Sequence, residues 1–249
     1  MPSKIRLNTP FAAALDLPPA FRSVTLREVG DAFVHARSNA VQLGAGTLIF
    51  VGRFDLAEFA VVLEPDEPLR TARRAFYAGM AALTDALIAQ APPEKPIVCV
   101  WPDAINVDGG LVGGAQLAWP DGPEDQPPDW LVFGGMIRIV SMNEGEPGLH
   151  PLSTAIGNEG FDETGAAQLV GSFARHLMVQ IDAWQEFGFE EVAKTYLSRL
   201  APEKGVRRDI DDNGDLLVRR MGKVDAERRP LAAALARTSW LDPATRGPK

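Results

Sequence analysis

The chain has 249 residues, of which 46% are hydrophobic and 23% charged, and its formal net charge at pH 7 is −8. This composition is typical of a folded globular protein, and the acidic balance argues against nucleic acid or an anionic membrane surface as a partner, since both need clustered lysine and arginine. No run approaches the roughly 20 apolar residues that span a bilayer. The single cysteine, Cys99, excludes an intramolecular disulfide, so we expect a cytoplasmic protein.

The first half of the chain predicts alternating strands and helices. Residues 1–22 are predicted to be a loop segment because prolines interrupt them repeatedly. Runs of β-branched and apolar residues then predict buried strands, and apolar residues at three- and four-residue steps predict helices. In chain order these elements are a short strand before a helix over 30–39, strands over 46–53 and 58–65, a helix over 69–90, and a strand over 96–101.

The second half begins with a predicted hairpin, because Asp108-Gly109 supplies the positive φ that a tight turn requires. The later elements are an acidic loop over 122–129, a strand over 130–140, helices over 164–187 and 189–200, and a small β unit over 205–223. Together they predict an α+β fold, a mixed β-sheet with helices packed on it, followed by a small β-rich C-terminal domain. We divide the chain into the loop segment 1–22, a main domain 23–201, and a small domain with its tail, 202–249.

Four motifs occur in the order used by biotin and lipoate protein ligases. The run VWPDAINVDGGLVGG (100–114) resembles that family's lysine-tryptophan-proline-asparagine-aspartate turn and its hairpin. FGGMIRI (133–139) is similar to its later glycine-rich strand, and DAWQEFGFEEVAKTYL (182–197) to its closing helices. DIDDNGDLLV (209–218) resembles the start of its small C-terminal domain. The resemblance covers residues 24–223 and implies the fold shared by class II synthetases and biotin ligases.

The resemblance also implies two-step acyl transfer. Members of the family bind a small carboxylic acid, such as biotin or lipoate, together with ATP and Mg²⁺, and form an acyl-adenylate. They then pass the acyl group to a lysine of a biotinyl or lipoyl carrier domain. Such a site must neutralise a polyphosphate and exclude water from a reactive anhydride. The family uses an arginine- and glycine-rich loop, a hairpin lysine and Mg²⁺ for this purpose.

Several charged positions of the family are changed in this chain. Val100 stands where a lysine opens the family's turn, and Leu111 aligns with the hairpin lysine. Asp103 occupies the asparagine position, and Ala104 the position of the acid that follows it. Loss of one preorganised charge-stabilising donor typically costs about 10²–10³ in rate. These departures therefore count against a working site for ATP and Mg²⁺, although Asp103 is still the candidate catalytic residue, binding metal or orienting the acid.

Two arginines are candidate anchors for a carboxylate or a phosphate, because a guanidinium offers a planar bidentate fork. The family's long loop is reduced here to VGRFD, which keeps only Gly52 and Arg53. Arg138 replaces the asparagine of the glycine-rich strand. For each arginine the alternative is an exposed or ion-paired side chain without a ligand.

Trp101 and two glycine pairs complete the predicted substrate pocket. Trp101 either lines the cleft or is a buried indole at a strand end. Gly113-Gly114 and Gly134-Gly135 either admit a substrate close to the sheet or mark bulges and tight packing. The three histidines share no metal-ligand spacing, so the sequence predicts no metal site built from them.

These residues support two main hypotheses. The first is a ligase or acyltransferase that attaches biotin, lipoate or octanoate to a carrier-domain lysine. The second is a catalytically degenerate ligase-like protein that binds the acid or its carrier domain without ATP chemistry. A third hypothesis, transfer of an already activated acyl group, needs no ATP. Related octanoyl transferases use a cysteine nucleophile, but Cys99 lies in an apolar predicted strand, so we expect it to pack in the core.

Overall fold

The computed structural model describes residues 15–141, 152–161 and 164–249. Its main element is a seven-stranded sheet. The strands are β1 (Arg22–Leu26), β2 (Thr47–Val51), β3 (Leu56–Leu63), β4 (Ile97–Val100), β5 (Ala104–Val107), β6 (Gly110–Ala118) and β7 (Leu131–Arg138). Their order across the sheet is β1-β2-β3-β7-β6-β5-β4. Only β1 and β2 run parallel, so the sheet is mixed, as predicted.

Helices cover both faces of this sheet. They are α1 (Ala32–Leu43), α2 (Leu69–Ala72), α3 (Ala75–Ile88), α4 (Ala166–Phe187) and α5 (Phe189–Arg199), with a 3-10 turn at Ile156–Glu159. The largest core lies between the sheet and α3, α4 and α5, where Phe133 stacks on Phe173 with ring centroids 5.6 Å apart. Helix α1 packs on the opposite face, where Ala36 meets Val62 and Val132.

The helix predicted over 69–90 is divided in two by Arg73 and Arg74. Around this break the backbone hydrogen bonds join residues three apart, as in a 3-10 helix, from Phe76 N to Arg73 O (3.0 Å) and from Tyr77 N to Arg74 O (2.9 Å). The tightened turn directs the Arg73 guanidinium to Glu124, and Arg74 pairs separately with another carboxylate. Periodicity alone did not predict this break, because both arginines keep helical backbone angles.

A small antiparallel sheet follows the main one. Its strands β8 (Val206–Ile210), β9 (Leu216–Arg220) and β10 (Glu227–Arg229) lie in the order β10-β9-β8, and the short helix α6 (Leu231–Leu235) comes next. The Tyr77 hydroxyl of α3 donates to Gly214 O at 2.6 Å and ties this sheet to the main core. The predicted α+β class with a small β-rich unit is therefore confirmed, whereas the boundary at residue 202 stays a prediction.

Beyond α6 the chain returns to the main sheet. Residues 237–249, here called the closing segment, lie on the same face as α1, where Trp240 is 1% exposed. The sequence predicted only a tail for these residues. Within the described ranges, no helix is long and apolar enough to cross a bilayer.

Candidate functional site

The candidate site lies on the α1 face of the sheet, between α1 and the closing segment. Alternate residues of β3 point to this face, so that Glu58 lies between Leu56 and Ala60, and Leu56 contacts the closing segment. In β7, Met136 points the same way and packs against Trp240. The glycine-rich strands therefore face two apolar walls, one from α1 and one from residues far along the chain.

Asp103 is buried beneath the closing segment. Its carboxylate accepts hydrogen bonds from Ser239 N at 2.8 Å and from Ser239 Oγ at 2.5 Å, and its residue is 1% exposed. Burial raises the pKa of Asp103, and the two bonds from Ser239 oppose that rise. In this arrangement the carboxylate holds the segment in place.

Aromatic side chains fill the space that two of the glycines leave. A Cβ on Gly114 would lie 2.0 Å from the carbonyl oxygen of Asp103 and 2.5 Å from Cδ1 of Trp240, and a Cβ on Gly134 would lie 2.5 Å from Cδ2 of Phe33. The Trp240 indole N–H donates to Ala115 O at 3.0 Å, which fixes the ring over the sheet. Both glycines therefore allow a flat ring to approach the backbone closely, and in this structure the rings belong to the protein itself.

Arg138 lies at the end of β7 and points to the closing segment. Its guanidinium donates to Ser153 Oγ and to the carbonyl oxygen of Pro248, and Ser153 Oγ in turn donates to Lys249 O at 2.6 Å. Burial lowers the pKa of Arg138. Its Nη2 also lies 3.4 Å from Lys249 O, so the closing segment supplies two of the oxygens that hold this half-buried cation.

Arg53 has the opposite environment. Asp55 accepts from its Nε and Nη2 at 2.7 Å each, and Glu58 lies 3.8 Å from its Nη1. The hydrogen bonds with Asp55 raise the pKa of Arg53 against the effect of burial. The guanidinium fork is thus used by a carboxylate two residues away. The preceding Gly52 donates its N–H to Leu26 O at 3.0 Å, which joins the shortened loop to β1.

Glu58 is the other buried carboxylate of this face. It is 6% exposed, and its Oε1 accepts the N–H of Ala32, the first residue of α1, at 2.9 Å. Burial raises its pKa, which the Ala32 bond and Arg53 partly oppose. Glu58 therefore anchors the start of α1 to the centre of the sheet.

Three of the predicted pocket residues lie away from this face. The Trp101 indole donates to the Tyr77 hydroxyl at 3.3 Å, on the side of α3. A Cβ on Gly135 would lie 2.5 Å from Phe59 Cζ, in the helix-covered core, and one on Gly113 would lie 2.0 Å from Met136 O in the neighbouring strand. The structure thus brings together Asp103, Gly114, Gly134 and Arg138, with Arg53 at the margin, and leaves out Trp101, Gly113 and Gly135.

The residues at the position of the family's nucleotide site do not fit a polyphosphate. Val100 and Leu111 carry no charge, and Arg53 is neutralised by Asp55. Within the described ranges no cluster of three or more His, Cys, Asp or Glu is arranged to hold a metal ion. Cys99 is fully buried next to Thr84, and burial raises its pKa to about 11, so its thiol packs in the core as predicted.

Sequence reasoning missed the residues that cover the site. Ser239 and Trp240 lie in a tail for which no structure was predicted, and Glu58 was assigned only to a strand. One signal was present: a tryptophan within a polar, proline-containing tail is costly to expose, so Trp240 indicated a contact with the rest of the chain. Nothing in the sequence indicated which surface it would cover.

Comparisons with known proteins agree with this architecture. The protein-family model described as "Biotin/lipoate A/B protein ligase family" matches residues 17–198 of this chain. A biotin protein ligase-like protein of unknown function from Silicibacter sp. TM1040 is 25% identical, with a TM-score of 0.76 over 90% of this chain and 100% of that chain. A comparison with curated protein sequences gave no significant match.

Two solved biotin protein ligases have a similar fold at lower identity. The Aquifex aeolicus protein in complex with biotin and ATP is 13% identical, with a TM-score of 0.62 over 84% of this chain and 98% of that chain. The Leishmania major protein in complex with biotin is 17% identical, with a TM-score of 0.51 over 84% of this chain and 98% of that chain. These two likenesses concern the fold alone.

Proposed function

Since the chain belongs to the biotin/lipoate A/B protein ligase family, we propose that it binds a small carboxylic acid of the biotin, lipoate or octanoate type, free or on a carrier domain, without forming an acyl-adenylate. The ligand lies on the α1 face of the sheet, next to Gly114 and Gly134. The protein is thus a binding member of a family whose other members include ligases.

The pairing of Arg53 with Asp55 is the observation that carries this proposal. Adenylate formation needs cations aimed at the phosphates, because charge develops there in the transition state. Arg53 is the one cation of the shortened loop, and its fork already makes two 2.7 Å bonds to the Asp55 carboxylate. A phosphate would have to displace a carboxylate that is part of the same turn.

Arg138 supports the acid-binding part of the proposal. The Arg138 guanidinium is held by Ser153 and by oxygens of the closing segment, and it can form two parallel charge-assisted bonds with a ligand carboxylate, which adds the attraction between opposite charges. Burial makes this exchange more favourable, since it weakens screening by water. We therefore assign Arg138 as the anchor of the acid, with Gly134 next to the apolar body of the ligand.

The test combines a binding measurement with an activity measurement. Calorimetric titration with biotin, lipoate and octanoate, and with a biotinyl or lipoyl carrier domain, is expected to give binding for at least one of them. Pyrophosphate release from Mg²⁺-ATP with each acid is expected to stay at background. Arg138→Ala should weaken acid binding by about tenfold or more, as loss of a charged hydrogen-bond partner does.

Arg53→Ala is the matched control, and it should leave acid affinity unchanged because Arg53 is already paired. Pyrophosphate release that depends on one of the acids would overturn the proposal in favour of the ligase hypothesis. Transfer of an octanoyl group from an acyl-carrier donor, without ATP, would favour the acyltransferase hypothesis instead.

A further inference from the structure

We infer that the closing segment, residues 237–249, is a displaceable internal occupant of the α1 face: it lifts from the sheet while the sheet stays folded, and it competes with the ligand for that face. The competition rests on the function proposed above, whereas the lifting does not. Residues of the chain itself thereby regulate access to Asp103 and Arg138.

The segment is held at few points. Of its thirteen residues only Trp240 and Pro248 are buried. Its contacts with the rest of the chain include hydrogen bonds to Asp103, Ala115, Arg138 and Ser153, a backbone bond to Ala234, and the packing of Trp240 and Leu241. A covering with so few buried side chains belongs to the low-stability end of a structure, where local opening occurs.

The backbone bonds of the segment are largely its own. Asp242 N donates to Gly247 O at 2.9 Å, and Lys249 N donates to Trp240 O at 2.8 Å, which closes residues 240–249 into a loop. Leu241 and Pro248 form an isolated bridge within the same loop. The loop adds no strand to the seven-stranded sheet. It can therefore lift as a unit without breaking the strand ladder.

The groups that hold the segment are those a ligand would use. Pro248 offers Arg138 a carbonyl oxygen, which a ligand carboxylate would replace with a stronger acceptor. Trp240 places a flat apolar ring on Gly114, in the space next to the sheet that the proposed ligand requires. Segment and ligand therefore exclude each other, and binding has to include the cost of lifting the segment.

Thiol labelling tests the lifting without any ligand. Ala104 and Ala115 lie on neighbouring strands and are 5% and 0% exposed, but Ala104 lies beneath Trp240 whereas Ala115 faces the helix-covered core. In a Cys99→Ala background, Ala104→Cys should react with a thiol reagent at least on the order of 100-fold faster than Ala115→Cys. Equal rates, limited in both by global unfolding, would overturn the inference.

A second variant checks that the closing segment is what protects Ala104. Adding Trp240→Ala should raise the labelling rate of Ala104→Cys, whereas the rate of Ala115→Cys should rise only as far as the variant lowers the free energy of global unfolding. Trp119→Ala is the matched control, since Trp119 lies outside the segment, next to Arg73. If both tryptophan variants accelerate labelling at both sites equally, the effect is a general loss of stability, and the inference fails.

The binding arm separates this inference from the proposed function. With octanoate, biotin and lipoate as probes, Trp240→Ala should bind the acid at least tenfold more tightly than the unchanged chain, because less has to be displaced. Equal affinities would show that the segment does not compete. If neither protein binds any acid, the proposed function fails, and the labelling rates still decide whether the segment lifts.

Discussion

The two faces of the main sheet are built on different principles. On the helix-covered face, Phe133, Phe173 and their neighbours form one apolar core. On the α1 face, Asp103, Glu58 and Arg138 interrupt the apolar surface, and Trp240 supplies a cover from far along the chain. The helix-covered face stabilises the fold by burying apolar side chains, whereas the α1 face keeps charged groups at a cost in stability.

The charged groups on the α1 face indicate that function is to be sought there. Buried charges destabilise a fold unless they are paired or hydrogen-bonded, so a face that keeps several of them has another use for them. Here Ser239 and the carbonyl of Pro248 satisfy two of the charges, and both belong to the closing segment. Variants on the two faces test this contrast.

Phe133→Ala should cause the largest loss of stability. Phe133 is fully buried between Phe76 and Phe173, with ring centroids at 6.0 Å and 5.6 Å. Truncation leaves a cavity in a close-packed core, which costs about 3–5 kcal/mol for a phenylalanine. Urea unfolding followed by far-UV circular dichroism measures the change. A loss below about 1 kcal/mol would show that the helix-covered face is not the stability core.

Trp240→Ala should cost less, although the side chain is larger. The closing segment can relax after truncation because it is anchored at few points, so we expect a loss of about 1–3 kcal/mol in the free energy of unfolding. The dependence on urea concentration should stay unchanged. A cost above that of Phe133→Ala would remove the contrast between the faces, since the segment would then be part of the main core.

Much of the fold could be predicted from the sequence because local patterns decide it. The Asp108-Gly109 turn has φ values of 49° and 84°, as a two-residue hairpin requires, and it joins β5 to β6 as predicted. The runs of apolar and β-branched residues likewise form β2, β3 and β7, because this local pattern favours buried strands. The break at Arg73 and Arg74 was missed because both residues keep helical backbone angles, so the apolar spacing continues across it.

The candidate site could be predicted only in part. The sequence identified Gly114, Gly134 and Arg138, which the structure brings to one face, but whether a ligand lies there is still a prediction. It could not identify the cover, because the contact of Trp240 with Gly114 joins residues that no periodicity connects. The sequence also offered Trp101 as a pocket residue, but its indole lies on the side of α3. A tryptophan at a strand end can point to either face of the sheet, and the sequence does not show which.

Asp55→Asn tests the ion pair of Arg53 at the margin of the site. The asparagine keeps the shape of the turn but leaves Arg53 without its carboxylate partner. The guanidinium can then donate its hydrogen bonds to an external anion. We expect pyrophosphate to bind measurably more tightly to the variant in calorimetric titration, and a loss of stability of about 1 kcal/mol or less, because the pair is only partly buried. Unchanged pyrophosphate affinity would mean that the pairing of Arg53 does not limit anion binding.

Glu58→Gln should have the smallest effect on the free energy of unfolding, and the size of that effect should depend on pH. The pKa of Glu58 is raised above its ordinary value of 4.5 mainly by burial, so the folded state holds the proton more tightly than the unfolded chain does. The corresponding stability is fully present below pH 4.5 and is lost as the pH rises through the folded pKa. At neutral pH the wild-type chain therefore carries a cost of burying the charged form.

The glutamine variant removes this titration and can still accept the N–H of Ala32, so it should be more stable than the wild type at pH 7 by up to about 1 kcal/mol. The advantage should shrink as the pH falls towards 4.5. Thermal unfolding of both proteins between pH 4 and pH 8 measures it, and Glu28→Gln controls for the loss of one exposed negative charge. A variant less stable at neutral pH would mean that the 3.8 Å contact with Arg53 outweighs the cost of burial, and the α1 face would then be stabilised by its charges.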